Sequence, residues 1–284
     1  MKPQHVEFLD KEHFEKKYHR VGPTNSLLHF IDFFWETSFD DLLKVHAHGF
    51  SDVLFPNIGY TYLINLGTPF VMQLDDEKFE VKQNGFLPRH KNIECHHIKG
   101  NHIFGIKFKI SPILFEKKIN FSEYKESISP LSYLVDKSLI TNLKKAPDFK
   151  SRVLLATAYY NSIVEKKSQT FNSIKVVREV LDQCYQNNQF NISLEELASE
   201  YQVSLRTFHR YFETTIGISG KNALQIMRIR KAVTQLSSDP GNFHYSTYGY
   251  YDHSHFYKHL KLFMERSKFH TRQPHLKLLE GLHK

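Results

Sequence analysis

The chain has 284 residues, of which 40% are hydrophobic, 14% aromatic and 24% charged, the profile of an ordinary folded protein and of neither a disordered nor a fibrous one. That length exceeds one ordinary core and fits two domains, and the two cysteines, Cys95 and Cys184, are too few and too far apart for a disulfide framework or a thiolate metal cluster. Charge is unevenly placed: residues 204–284 hold 13 Lys/Arg against 5 Asp/Glu, the whole net excess of +8, while residues 1–203 balance at 25 of each.

A basic region on a neutral body is the electrostatic footprint of a surface that meets a polyanion, although a solvated basic face is the plainer alternative. The first residues show no apolar core behind their charges, and no stretch approaches the roughly 18 apolar residues of a membrane span. A cytoplasmic protein with no membrane partner is the expectation.

Between residues 26 and 110, short β-type runs at 60–66, 70–74, 79–81 and 103–110 alternate with turn signals and predict an antiparallel barrel or sandwich. In residues 106–110 the apolar Ile106, Phe108 and Ile110 alternate with Lys107 and Lys109, as on a strand with one buried face. Asp75-Asp76-Glu77-Lys78 and Asn84-Gly85 read as hairpin turns. Beyond Pro112, Val153, Leu154, Thr157, Tyr160 and Val164 recur at helical intervals. Such a stripe by default closes the first core, and a connector or a dimerisation element fits it too. A short polar stretch at 168–172 marks the boundary.

The remainder reads as consecutive helices. Asn172 or Ser173 can cap a helix that buries Val176, Val177, Val180, Leu181 and Cys184. Ser193-Leu194-Glu195-Glu196 is a capping box ahead of Leu197, Ala198 and Tyr201. A tight turn at Gln202-Val203 leads to Ser204, a second N-cap, after which Leu205, Phe208, Tyr211 and Phe212 point one way and Arg206, His209 and Arg210 the other. A bracing helix, a short turn and a second helix with exposed basic residues make up the physical content of a helix-turn-helix, with a generic helical hairpin as the alternative. Next, residues 221–237 form a rod that buries Ala223, Leu224, Met227, Val233 and Leu236 and shows Arg228, Arg230 and Lys231 as exposed candidates. A rod of that length spans about 26 Å and suits two probes set near the roughly 34 Å repeat of major-groove faces. Asp239-Pro240-Gly241 breaks the chain before a second basic, His-rich segment from Gly249 to Phe263.

Residues 249–263 resemble the signature of the AraC-type transcription regulators, in which a Gly, aromatic residues, an Asp-Gln-Ser-His-Phe run and a basic helix recur in a second helix-turn-helix. Ser193-Leu-Glu-Glu-Leu-Ala, Val203-Ser204, Phe208, Arg210, Phe212 and Gly217-Ile218-Ser219 match the first motif, so the resemblance covers about residues 172–272. It implies double-stranded DNA as partner, with Arg206, His209 and Arg210 in the first recognition helix and His253, Ser254, Tyr257 and Lys258 at the matching positions of the second; Lys258 and Lys261 are the phosphate candidates. Residues 242–248 depart from the pattern, with bulky aromatics in place of an Ile-Ala core pair. Glu265 and Lys268 stand where Gly and Pro are usual, and Gly220 replaces a Pro. Specificity is therefore expected from the first helix, with Tyr245 and Tyr248 filling the core of the second motif and the second helix making a weaker or phosphate-anchoring contact.

The N-terminal half more faintly resembles the β-rich sensor domains that precede such DNA-binding domains, through Phe34-Trp35, residues 53–56, 63–67 and Gly105-Ile-Lys-Phe. The resemblance implies a cupin-like barrel that binds a small-molecule effector or mediates homodimerisation. A metal-dependent cupin enzyme with an appended basic domain is the alternative. His46 and His48, joined by His90, His96, His97 or His102, are its candidate ligands, but no carboxylate follows His48 at a metal-binding spacing. No phosphate loop or nucleophile elbow is present, so neither catalysis nor a cofactor is expected. The expected protein is α+β: an antiparallel, cupin-like β-rich domain at 1–125, a helical connector at 126–171, and an all-α domain of two helix-turn-helix motifs joined by a long helix at 172–284.

Overall fold

A computed structural model describes residues 13, 16–46, 48–82, 84–166 and 172–265. The fold is α+β and contains two antiparallel sheets. Strands β1 (His19–Val21), β2 (Ile31–Ser38), β9 (His102–Phe108), β4 (Tyr60–Asn65) and β7 (Asn84–Pro88) form the larger sheet in the order β1-β2-β9-β4-β7. The smaller sheet is β3-β8-β5-β6, from β3 (Phe50–Leu54), β5 (Phe70–Leu74), β6 (Glu77–Val81) and β8 (Ile93–His97). A short helix α1 (Asp40–Val45) separates β2 from β3.

The larger sheet is apolar on both faces. Phe33, Trp35, Leu63, Leu87 and Ile103 meet Phe70, Met72, Leu74, Ile93 and Cys95 of the smaller sheet in one core cluster. Their neighbours Phe34, Tyr62, Ile64, Phe104, Ile106 and Phe108 belong to a second cluster on the opposite face, where helices cover them. Lys107 is consequently not on a wet face: it is 1% exposed, and its ammonium donates to the carbonyls of Ile58 and Phe108. The turn at Asp75-Asp76 joins β5 to β6 as anticipated, with Asp75 in left-handed backbone. Asn84-Gly85, read as a turn, instead opens β7 and pairs with Ile64 and Leu63. The Asn84 amide oxygen accepts from the Leu131 amide at 2.7 Å, which fixes the chain crossing this strand.

Helices α2 (Lys137–Lys145) and α3 (Phe149–Lys166) pack together beside the larger sheet. The buried stripe of α3 is Arg152, Ala156, Tyr160 and Ile163, whereas Leu154, expected inside, is 60% exposed. Arg152 explains the shift of stripe. Its Nη1 contacts both oxygens of Glu36 at 3.1 and 3.0 Å, and it donates to the Leu143 and Ala146 carbonyls, so every polar edge is satisfied without water.

The last helices are α4 (Asn172–Asn187), α5 (Leu194–Glu200), α6 (Leu205–Ile216), α7 (Gly220–Ser238) and α8 (His253–Phe263). Apart from Asn172, the linker read at 168–172 lies outside the described residues, as does Lys268. The cluster that begins under β2 and β4 continues without a break through Val180, Phe208, Leu224 and Phe256 to Met264. Cys95 and Cys184 are buried free thiols. Among the described residues no helix is long and apolar enough to cross a membrane.

Candidate nucleic-acid interface

The first helix pair forms as its caps dictate. The Ser193 hydroxyl accepts from the Glu196 amide at 3.0 Å and the Glu196 carboxylate accepts from the Ser193 amide at 3.3 Å, closing both ends of a capping box. Gln202 takes left-handed backbone (φ 54°) and the Val203 amide returns to the Ala198 carbonyl, so the chain reverses within three residues. Ser204 then caps α6 by accepting from the Thr207 amide at 3.2 Å, a contact worth about 1 kcal/mol. Phe208 and Phe212 are completely buried with ring centroids 5.0 Å apart, which sets the rotation of α6 about its axis. That rotation leaves Arg206 and Arg210 exposed on one arc, one helical turn apart, with His209 half-buried on the flank.

At its C-terminal end, α6 is capped by Gly217 at φ 77°. A Cβ here would lie 2.9 Å from Tyr60 Oη and 3.1 Å from the Phe121 carbonyl, so glycine is required both by backbone and by space. Helix α6 is thus seated directly against β4 and the 3-10 turn at Phe121–Tyr124.

The connecting helix α7 has 19 residues, which at the usual rise gives about 28 Å, and it packs against both α6 and α8. Ala223, Leu224, Met227, Val233 and Leu236 are buried as expected. Three of its four cations, Arg228, Arg230 and Lys231, are not the exposed candidates the spacing implied, whereas Lys221 is exposed. Arg228 is 7% exposed, and its guanidinium sits 3.7 Å above the Tyr250 ring while donating to Asn191 Oδ1 and the Gly249 carbonyl. Arg230 donates to the Pro56 carbonyl across the boundary with the β-rich half. Lys231 lies over Tyr185 and donates to its carbonyl, and its burial lowers its proton affinity.

The second motif is not a hairpin of two α-helices. Its first arm is a single 3-10 turn, Tyr245–Tyr248. The bulky aromatics account for this: Tyr248 is buried, its hydroxyl donates to Gln235, and Phe243 packs on Tyr248 and Phe256, so one turn fills the space that a helix of smaller residues would need. Tyr245 is half-buried. Gly249 at φ 73° reverses the chain, and Asp252 caps α8 by accepting from the His255 amide at 2.6 Å. Phe256, Leu260 and Phe263 face inward. Past the helix, Glu265 occupies left-handed backbone (φ 63°) where the family pattern has a glycine.

The candidate residues of α8 divide into two sets. His253, Tyr257 and Lys261 form one stacked, half-buried flank: the His253 and Tyr257 rings are 5.9 Å apart and nearly parallel, and the Lys261 ammonium lies 4.6 Å from the Tyr257 centroid. Ser254 and Lys258 are exposed. His259 is turned inward, accepting from or donating to the Tyr250 hydroxyl at 2.8 Å, and burial together with Arg228 lowers it to about 4. Sequence reasoning missed the Arg228 clamp, because a cation at that spacing reads as surface until its partners Asn191 and Gly249 are known.

In the β-rich half, His46 and His48 are exposed, while His96 and His97 point into opposite neighbourhoods of β8. Among the described residues no three His, Cys, Asp or Glu side chains converge in a way that could hold a metal ion. A half-open surface pocket of about 280 Å³ is lined by residues that include Lys17, His19, Glu36, Asp40, Asp41 and His102.

No family model and no curated protein sequence matches the chain. The solved structures to which it is similar include ToxT and an AraC-like transcriptional activator. ToxT from Vibrio cholerae gives a TM-score of 0.44 at 8% identity over 87% of this chain and 95% of that one. Unsaturated fatty acid-bound ToxT from strain SCE256 gives 0.43 at 10% identity over 76% and 91%. The AraC-like transcriptional activator CuxR gives 0.30 at 12% identity over 79% and 89%.

Proposed function

We propose that the protein is a sequence-specific, double-stranded-DNA-binding transcription regulator of the AraC type. The observation that carries this reading is the pair of capped helices, α6 and α8, packed on one buried rod, each presenting basic side chains on an arc the fold does not use. Arg206 and Arg210 would meet base edges and backbone in a major groove, with His209 beside them. Lys258, Ser254 and the His253–Tyr257–Lys261 flank would lie along the phosphates of a second groove face. The β-rich half, with its two facing sheets and a cupin-like role, would sense a small-molecule effector or mediate homodimerisation, and the setting would be cytoplasmic. The domain limits 1–125, 126–171 and 172–284 belong to the same proposal, and it assigns no catalytic step.

The test is selection from a random duplex pool by the full-length protein. Enrichment of one motif, lost in Arg206→Ala, supports the reading. Retention of duplexes without any enriched sequence, or of none at moderate salt, removes it.

A further inference from the structure

The solvent-facing arc of α8 carries Ser254, His255, Lys258 and Leu262, and Tyr251 precedes it, immediately before the Asp252 cap. Tyr251 is 90% exposed and Leu262 56%. A hydrophobic residue in front of an N-cap ordinarily folds back onto the fourth helical residue. Here that residue is Phe256, whose ring is completely buried and already met by Phe243 at 5.1 Å and by Tyr250, edge-on, at 5.2 Å. Tyr250 thus takes the packing role next to the cap and Tyr251 is left in water, serving no packing function in the fold.

The surroundings of this ring say what would cover it. The nearby charges are Lys258 on its arc and Lys261 on the adjoining flank against the single Asp252 carboxylate, which caps the helix by accepting from the His255 amide, so the helix surface is cationic by one charge as well as partly apolar. A cationic helix face bearing a single aromatic ring suits the major groove of duplex DNA, whose edges are polar except for one apolar group, the 5-methyl of thymine. We infer that Tyr251 is a specificity-determining residue whose ring packs on a thymine methyl while Lys258 meets the adjoining phosphate. The inference rests on the DNA-binding reading above, and it gives the turn entering α8 a base-reading role where the sequence pointed to a weaker or phosphate-anchoring contact.

The test uses full-length protein and a duplex obtained by selection with the wild type. Each thymine is replaced in turn by uracil, which removes the methyl and no hydrogen-bonding group, and binding is followed by fluorescence anisotropy for wild type, Tyr251→Phe and Tyr251→Ala. At one position the replacement should weaken wild type and Tyr251→Phe by about 4-fold, the ratio that burial of one methyl corresponds to, and leave Tyr251→Ala unaffected. Because the side chain is exposed, all three proteins should share one melting temperature. If Tyr251→Ala responds to every uracil as wild type does, the assignment is overturned and DNA binding stands. If Tyr251→Phe loses the response, the hydroxyl and not the ring makes the contact, and the assignment again fails. If the wild type enriches no duplex at all, the functional reading falls and this inference with it.

Discussion

The guanidinium of Arg228 lies 3.7 Å over the ring of Tyr250 and from there donates to both Asn191 and Gly249. One cation therefore joins the loop entering the first motif, the rod α7 and the turn entering the second. The Gly249 carbonyl also accepts from Asn191 Nδ2 at 2.7 Å, and a Cβ on Gly249 would meet that nitrogen at 2.4 Å. Arg228→Lys keeps charge but neither the planar stack nor the fork, and should cost about 2 kcal/mol. Urea titration measures this, and an unchanged midpoint would show that the clamp is idle.

Under the proposed DNA-binding function, the exposed arcs of α6 and α8 should give different phenotypes. Arg206→Ala should cost about 1–3 kcal/mol on the selected duplex and relax preference at one position. Lys258→Ala should weaken all duplexes alike and reduce the salt slope by about 0.9. Lys261→Ala, whose ammonium rests over Tyr257, should lower the slope less than Lys258→Ala does. Binding isotherms at several salt concentrations on selected and scrambled duplexes separate these outcomes, and equal losses on both for Arg206→Ala would refute base reading.

Gly217→Ala tests the seat of α6. Positive φ costs an L-residue roughly 1 kcal/mol, and the crowding by Tyr60 Oη and the Phe121 carbonyl adds to it, so a loss of about 2 kcal/mol or more is expected. Thermal melting should fall by several degrees; a melting temperature equal to that of wild type would mean that the junction relaxes freely.

Acid should destabilise the fold through buried histidines. His97 is 2% exposed, its ring stacks 3.7 Å from Phe39, and burial lowers it to about 4. The folded state holds this ring neutral, so the unfolded chain takes up the proton first. Stability is full above the ordinary pKa near 6.5 and is lost as pH falls toward 4, by about 3 kcal/mol for this group. His90 and His259, also lowered to about 4, act in the same direction. His97→Gln should flatten the dependence of the unfolding midpoint on pH across that window; an unaltered dependence would exclude His97 as the titrating group.

The helical half was largely legible because its signals are local. The Ser193 box, the Ser204 cap and the buried Phe208 and Phe212 are all set by residues within a few positions of one another. In the β-rich half, strands buried on both faces, such as Ile31–Ser38, lose the alternation that announces a strand. Lys107 was misread for a related reason, since its ammonium finds the Ile58 carbonyl 49 residues away, and Arg152, whose partner Glu36 lies across 116 residues of chain, carried no local sign of burial either. The arc of α6 was readable from periodicity, whereas the division of α8 into a stacked flank and an open arc depended on how Tyr245, Tyr250 and Tyr257 use their rings.

The unbroken apolar cluster from β2 to Met264 should couple the two halves of the chain when it is heated. Tyr60 lies against Gly217, and the ring of Phe55 stacks on that of Phe263. Excising the sheets would strip oil-like surface bare at the base of α6 and at the end of α8. A single calorimetric endotherm for the whole protein, and clumping of a fragment cut at residue 172 unless detergent or a solubilising partner shields that surface, are what such shared packing entails.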